Sequence, residues 1–147
     1  MSLASRANPT PDWTGLMESA RAHAGFFTAA EAQAHHISPQ LLRYRTTTGW
    51  VRRELRGVYR FVSAPPTEHD ELIALWLWSG EEAVFSHATA LFLHDLSDAL
   101  PARVHMTVPP SWRYPRFAVP THVTLHVAEA PPADVQWLGY VPITAPA

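Results

Sequence analysis

The sequence predicts an α+β protein, an N-terminal winged helix-turn-helix followed by a small α+β domain with two helices and a short sheet. Three short helices, each with its own start or stop signal, crowd into residues 12–49. A two-stranded alternation follows at once and turns at Arg56-Gly57. Beyond Ala64-Pro65-Pro66 the chain mixes helical runs with short β-prone segments broken by prolines. The expected organisation is a flexible tail over 1–11, a DNA-binding domain over 12–63 and an α+β domain over 67–147.

Taken in order, MSLASRANPTP has the composition of a loosely ordered tail. From Asp12 onward, Trp13, Leu16, Met17, Ala20 and Ala24 fall on one buried helical stripe, which Gly25 ends. Thr28 and Glu31 form a capping box that opens a brief second helix ending near His36. Ser38 caps the third helix, with Pro39 at its first position, and Gly49 closes it. On that third helix Gln40, Arg43, Tyr44 and Thr47 share one face, while Leu41, Leu42 and Thr48 lie away from it. Trp50 to Leu55 and Val58 to Val62 then make the ribbon. Val58, Arg60 and Val62 take one side of it, Tyr59 and Phe61 the other.

In the second half, Thr67 is expected to cap a helix with Glu68, Asp70 and Glu71 in its first turn and Gly80 at its end. Apolar residues from Leu72 to Trp78 cover most of its circumference. It serves either as the core helix of the second unit or as a cover for the winged helix. Ala83 to Leu96, AVFSHATALFLHDL, is expected to be a short extended entry followed by a helix capped at Ser86. Three strands are expected, at 103–108, 122–128 and 135–144.

Composition bounds the function. At 147 residues, 47% apolar and 16% charged, the chain can bury a core unaided by disulfides or metals. Zero cysteines exclude thiol catalysis and cysteine-ligated zinc, and fit a reducing compartment. No basic-then-apolar leader follows Met1, and the longest apolar run, 72–78, is far short of a membrane span. A soluble cytoplasmic protein with no membrane contact is therefore expected.

The net charge of −2 conceals an asymmetry. Residues 1–63 hold eight arginines against four acids, whereas residues 64–147 hold three against nine. Six of the eleven arginines lie between Ser38 and Val62, where Glu54 is the sole acid. Such a block suits a polyanion. Gln40, Arg43, Tyr44 and Thr47 carry groups that pair with base edges and phosphates, so they are expected in the major groove. Arg52, Arg53, Arg56 and Arg60 are expected to hold phosphate, and Arg45 belongs to either set.

Signals for catalysis are weak. Ser86-His87 lacks a glycine elbow, and adjacent residues on a helix point apart. His87 with His94, and His122 with His126, share faces but lack a helical His-x-x-x-His pair or a suitably placed carboxylate. The carboxylates do not cluster, and no P-loop or dinucleotide fingerprint occurs. No catalytic residue, metal site or cofactor is expected.

Gly25-Phe26-Phe27-Thr28, Leu41-Leu42-Arg43, Gly49-Trp50-Val51-Arg52-Arg53 and Arg56-Gly57-Val58-Tyr59-Arg60 together resemble the N-terminal winged helix of AbiEi-type antitoxins. The likeness extends through Ala83-Val84-Phe85-Ser86-His87-Ala88-Thr89-Ala90-Leu91, His94-Asp95-Leu96-Ser97, Leu100-Pro101, His105-Met106-Thr107-Val108-Pro109 and Gly139-Tyr140-Val141-Pro142-Ile143-Thr144. The resemblance implies a transcriptional autorepressor of a type IV toxin–antitoxin or phage-abortive system. It would bind double-stranded DNA in its own promoter and be partnered with a nucleotidyltransferase-like toxin. Helix-turn-helix repressors commonly read paired half-sites, so a homodimer on DNA is the matching expectation. Longer relatives continue past the Pro-Ile-Thr strand, and antitoxicity is expected to need that further region. Two alternatives remain open: a protein-interaction module whose arginines meet an acidic toxin surface, and a truncated relative of nuclease-fused family members.

Overall fold

The computed structural model describes residues 9–98, 101–113 and 117–146. Of the expected tail, residues 1–8 lie outside that range, and Pro9, Thr10 and Pro11 run along a groove beside Ser38 and Leu41. The fold is α+β, with two compact units that divide between Trp78 and Ser79.

In the first unit, α1 (Trp13–Ala20) starts at Asp12, whose carboxylate accepts from the Gly15 N–H at 2.9 Å. That bond, with His35 alongside, holds Asp12 below the usual carboxylate range. A 3-10 turn over Arg21–His23 leads through Ala24 and Gly25, both at positive φ, into a short strand, β1 (Phe26–Thr28). Thr28 and Glu31 make the capping box of α2 (Ala29–Ala34), Thr28 Oγ1 and Glu31 Oε1 each accepting the other's N–H at 3.1 Å. Ser38 caps α3 (Pro39–Thr47) through a 3.1 Å bond from Leu41 N–H, with Pro39 at the first position as the sequence predicts. The ribbon is β2 (Val51–Leu55) and β3 (Val58–Phe61), with a register irregularity between Arg53 and Leu55 and Gly57 at φ 72° in the turn. The Ala29 N–H, at the start of α2, donates to the Gly57 carbonyl at 2.9 Å.

Two features were not legible in the sequence. The sheet has three strands in the order β1-β3-β2, because Phe26–Thr28 pairs antiparallel with Val58–Arg60. Strand β3 is therefore central. Its Phe61, together with Phe27, Val51, Leu16, Ile37 and Leu42, builds the core under the helices.

The opposite face of the sheet carries Phe26, Val58 and Arg60, all buried as well. Helix α4 (Asp70–Trp78) lies against all three strands. Its seven residues from Leu72 to Trp78 are all buried, at about 1.5–3 kcal/mol for each large apolar side chain. The boundary expected at Ala64-Pro65-Pro66 is thus displaced: α4 counts with the winged helix, since its all-round apolar surface needs the sheet. The Asp70 carboxylate accepts from the Thr67 N–H at 3.0 Å and from its hydroxyl at 2.5 Å.

Gly25 is fixed by two constraints at once. Its φ is 92°, and a Cβ there would stand 2.3 Å from the Ala64 Cβ. Gly25→Ala is expected to destabilise the first unit by roughly 1–3 kcal/mol, read as a lower urea midpoint in tryptophan fluorescence. An unchanged midpoint would mean that the 61–64 segment yields freely.

The second unit is a five-stranded sheet in the order β6-β5-β4-β8-β7. It comprises β4 (Val84–Phe85), β5 (Val104–Val108), β6 (Val123–Val127), β7 (Val135–Leu138) and β8 (Val141–Thr144). The segment expected as one strand over 135–144 is a hairpin turning at Gly139, which sits at φ 59°. Strand β4 pairs antiparallel with β5 and parallel with β8, and β5 runs parallel to β6. Of the two helices expected here, α4 counts with the first unit, and α5 (His87–Leu93) packs on β5 and β8. Ser86 stands at its N-cap position without a side-chain cap. Its buried Oγ instead accepts from Thr107 Oγ1 at 2.7 Å.

Candidate nucleic-acid interface

The outward face of α3 is built by subtraction. Leu42 turns into the core and Leu41 packs at its edge, which leaves Gln40, Arg43, Tyr44 and Thr47 exposed together. Thr47 has already committed its hydroxyl proton to the Arg43 carbonyl at 3.0 Å, so toward a ligand it offers a methyl group and acceptor lone pairs. Thr46 and Thr48 do the same toward Leu42 and Arg45.

Arg45 belongs to neither expected set. Its guanidinium lies 4.5 Å from the Trp50 ring centroid and within 6 Å of Trp13 and Tyr44, and its Nε is buried. On the helix wheel it falls between Leu41 and Leu42, a position that already pointed inward. Its role is to clamp the end of α3 onto the aromatic cluster of Trp13, Trp50 and Phe61.

The hairpin arginines divide by strand face. Arg52 pairs with Glu54 through a 2.8 Å Nε–Oε1 contact and lies on the opposite side of β2 from Arg53. Arg53 stands across from Tyr59 on the side that meets α3. Arg56 is exposed at the turn.

The expectation for Arg60 is overturned. Only 7% exposed, it sits in the central strand under α4. Its Nη2 donates to the Ala64 carbonyl at 2.5 Å, its Nε lies 4.0 Å from Asp70 Oδ2, and its guanidinium stands over the Phe26 ring. The alternation read from sequence placed Arg60 on the correct face of the ribbon. That face is covered, because β1 and α4 enclose β3. Arg60 is a buried structural cation with no path to phosphate.

Between α3 and the hairpin lies a cleft of about 330 Å³. Gln33, Arg43, Thr46, Arg53 and Tyr59 supply its polar lining, and Ile37 and Leu42 are among its apolar walls. Residues 16–62, which run from within α1 through α2, α3, the sheet and this cleft, match the family described as transcriptional regulator, AbiEi antitoxin. Over these residues the chain is similar to that family. That family is one of transcriptional regulators and antitoxins rather than of enzymes. No curated protein matches the chain. Among the described residues, no helix is long and apolar enough to cross a membrane.

Outside the matched segment, the second unit brings together three histidines that the sequence did not group. His105 Nδ1 lies 2.9 Å from His126 Nε2, and the His87 ring lies tilted against His126 with centroids 3.8 Å apart. The sequence paired His87 with His94 and His122 with His126. His94 instead contacts the Thr144 carbonyl, and His105 was missed because only the parallel pairing of β5 with β6 brings it alongside. Among the described residues no group of three or more His, Cys, Asp or Glu is placed to hold a metal ion.

Burial, and then the neighbouring His87 and His105, push the His126 imidazole below its ordinary value. The folded state thus favours neutral His126, and the unfolded chain takes up the proton first. Stability of the second unit is expected to fall as the pH drops below about 6.5. Thermal melts between pH 7.5 and 5 should show this, and His126→Gln should flatten the profile. A wild-type melting temperature constant over that range would contradict it.

Proposed function

We propose that this chain is a sequence-specific DNA-binding repressor that acts on its own promoter, with the second unit serving a partner such as a nucleotidyltransferase-like toxin. The observation that supports it most is the exposed polar face of α3 set beside a cleft that Arg43 and Arg53 line and no carboxylate does. In residues 28–59 the acids are Glu31 and Glu54. Glu54 is held by Arg52, and five arginines against these two acids leave the segment net positive.

Gln40, Tyr44 and Thr47 are assigned to base edges and the flanking backbone, Arg43, Arg53 and Arg56 to the polyanion, and Arg52 to a secondary position. A homodimer on paired half-sites fits the recognition geometry of helix-turn-helix repressors. For the second unit, a partner-binding role is supported by Leu96 and Trp137, which are 60% and 61% exposed.

Fluorescence anisotropy with duplexes from the gene's upstream region, against shuffled duplexes, tests the reading. Preference for the upstream sequence is expected, with log K falling against log salt at a slope of about −2 to −3 per protomer. Equal, salt-independent affinity for both duplexes would overturn it. Salt-sensitive binding to an acidic partner protein, without DNA binding, would favour the interaction-module reading.

A further inference from the structure

We propose that the cleft between α3 and the hairpin is a seat for one phosphate-class oxyanion, clamped by Arg43 from the recognition helix and Arg53 from β2. The proposal rests on the DNA-binding reading in one respect, since a backbone phosphodiester is one of two sources for that group.

Several observations converge on it. The two arginines come from different elements and line the same concavity, whose volume lies at the small end of ligand pockets. No carboxylate lines it. The nearest acids in sequence are committed elsewhere, Glu31 to the cap of α2 and Glu54 to Arg52. Neither Arg43 nor Arg53 has a carboxylate partner among the described residues.

The rest of the lining suits an oxyanion too. The Gln33 amide and the Tyr59 hydroxyl supply neutral donors, and the Thr46 proton is already spent on Leu42. Ile37, Leu42 and Pro39 keep the walls apolar, which lowers the local dielectric and strengthens charge-assisted bonds to a bound oxyanion. A guanidinium fork matches two oxygens of a phosphate, and two forks from separate elements would lock the helix and hairpin to one group. The seat gives Arg43 a specific phosphate partner in place of the base edge expected from its helix face.

The test compares wild type with Arg43→Gln, Arg53→Gln, the double variant and Arg52→Gln, which removes the same charge from the other face of β2. Circular dichroism first establishes folding, expected to be intact because all three side chains are exposed. Each cleft variant is then expected to weaken operator and unrelated duplexes by the same factor, roughly 3- to 10-fold, and to reduce the salt slope by about one. The double variant should lose less than the product of the singles, and Arg52→Gln should lose less than either.

In parallel, inorganic phosphate is titrated against the DNA-free protein at constant ionic strength, with melting temperature as readout. Protection that appears only at tens of millimolar assigns the seat to a backbone phosphodiester. Protection at low millimolar that Arg53→Gln abolishes assigns it to a free phosphate. Cleft variants no worse than Arg52→Gln, with no phosphate protection, would overturn the seat. It would equally be overturned if Arg43→Gln relaxed one base position while Arg53→Gln was silent, and the DNA-binding reading would then stand without it.

Discussion

Replacing Arg60 with alanine is expected to unfold the first unit more readily while leaving the salt dependence of DNA binding unchanged. The side chain is enclosed by Phe26, the Ala64 carbonyl and Asp70 in the centre of the sheet. Truncation removes its hydrogen bond to Ala64, opens a cavity under α4 and strips the cation from beside Asp70. A loss of roughly 2–3 kcal/mol follows, below the figure for a fully dry ion pair because Asp70 remains partly exposed. For a unit of this size the melting temperature should fall by roughly 10–20 °C. Arg60→Met combined with Asp70→Asn should recover part of that loss, since it restores apolar volume and leaves no uncompensated charge. If Arg60→Ala melted like wild type and lowered the salt slope by one, the arginine would be a phosphate contact after all.

The second large effect is expected at Gln40. It stands in the first turn of α3, the part of a recognition helix that reaches base edges, and it is exposed. A glutamine amide pairs with adenine in a bidentate manner, and its loss should cost about 1–3 kcal/mol at one base pair. Gln40→Ala should therefore weaken the upstream duplex roughly 5- to 150-fold while shuffled duplexes bind as before, and a substitution scan should show one operator position relaxed. The variant is expected to keep its melting temperature, because Gln40 contributes nothing to the core. A uniform loss on every sequence would place Gln40 on the backbone instead.

These two residues mark the reach of the sequence. What lies within a few residues was legible: the Thr28 capping box, Ser38 with Pro39, the positive-φ glycines 49 and 57, and the polar face of α3 each follow from local spacing. The pairing of Arg52 with Glu54 lies within the same short reach, since residues two apart on a strand share a face, yet Arg52 was expected on phosphate. Long-range pairing was not legible. Phe26–Thr28 is too short to show alternation, so neither the third strand nor the centrality of β3 announced itself. With β1 unseen, the second face of the ribbon looked open, and Arg60 was assigned to solvent and phosphate. The same reason explains α4, whose apolar girdle was visible but whose docking partner was not. It also explains the three histidines, which only strand register brings together.

The bond from the Ala29 N–H to the Gly57 carbonyl has a consequence for association. It ties the turn of the hairpin to the helix that precedes the reader helix, while β3 lies between two strands and under α4. The span between the two parts that would meet a duplex is therefore set before any duplex arrives. Such an element behaves like a fixed caliper rather than a pair of fingers. Little ordering entropy is left for the encounter, so affinity should depend on how well the duplex fits the gap. A duplex whose groove is too wide or too narrow must itself deform, and discrimination then arises at base pairs the protein never touches.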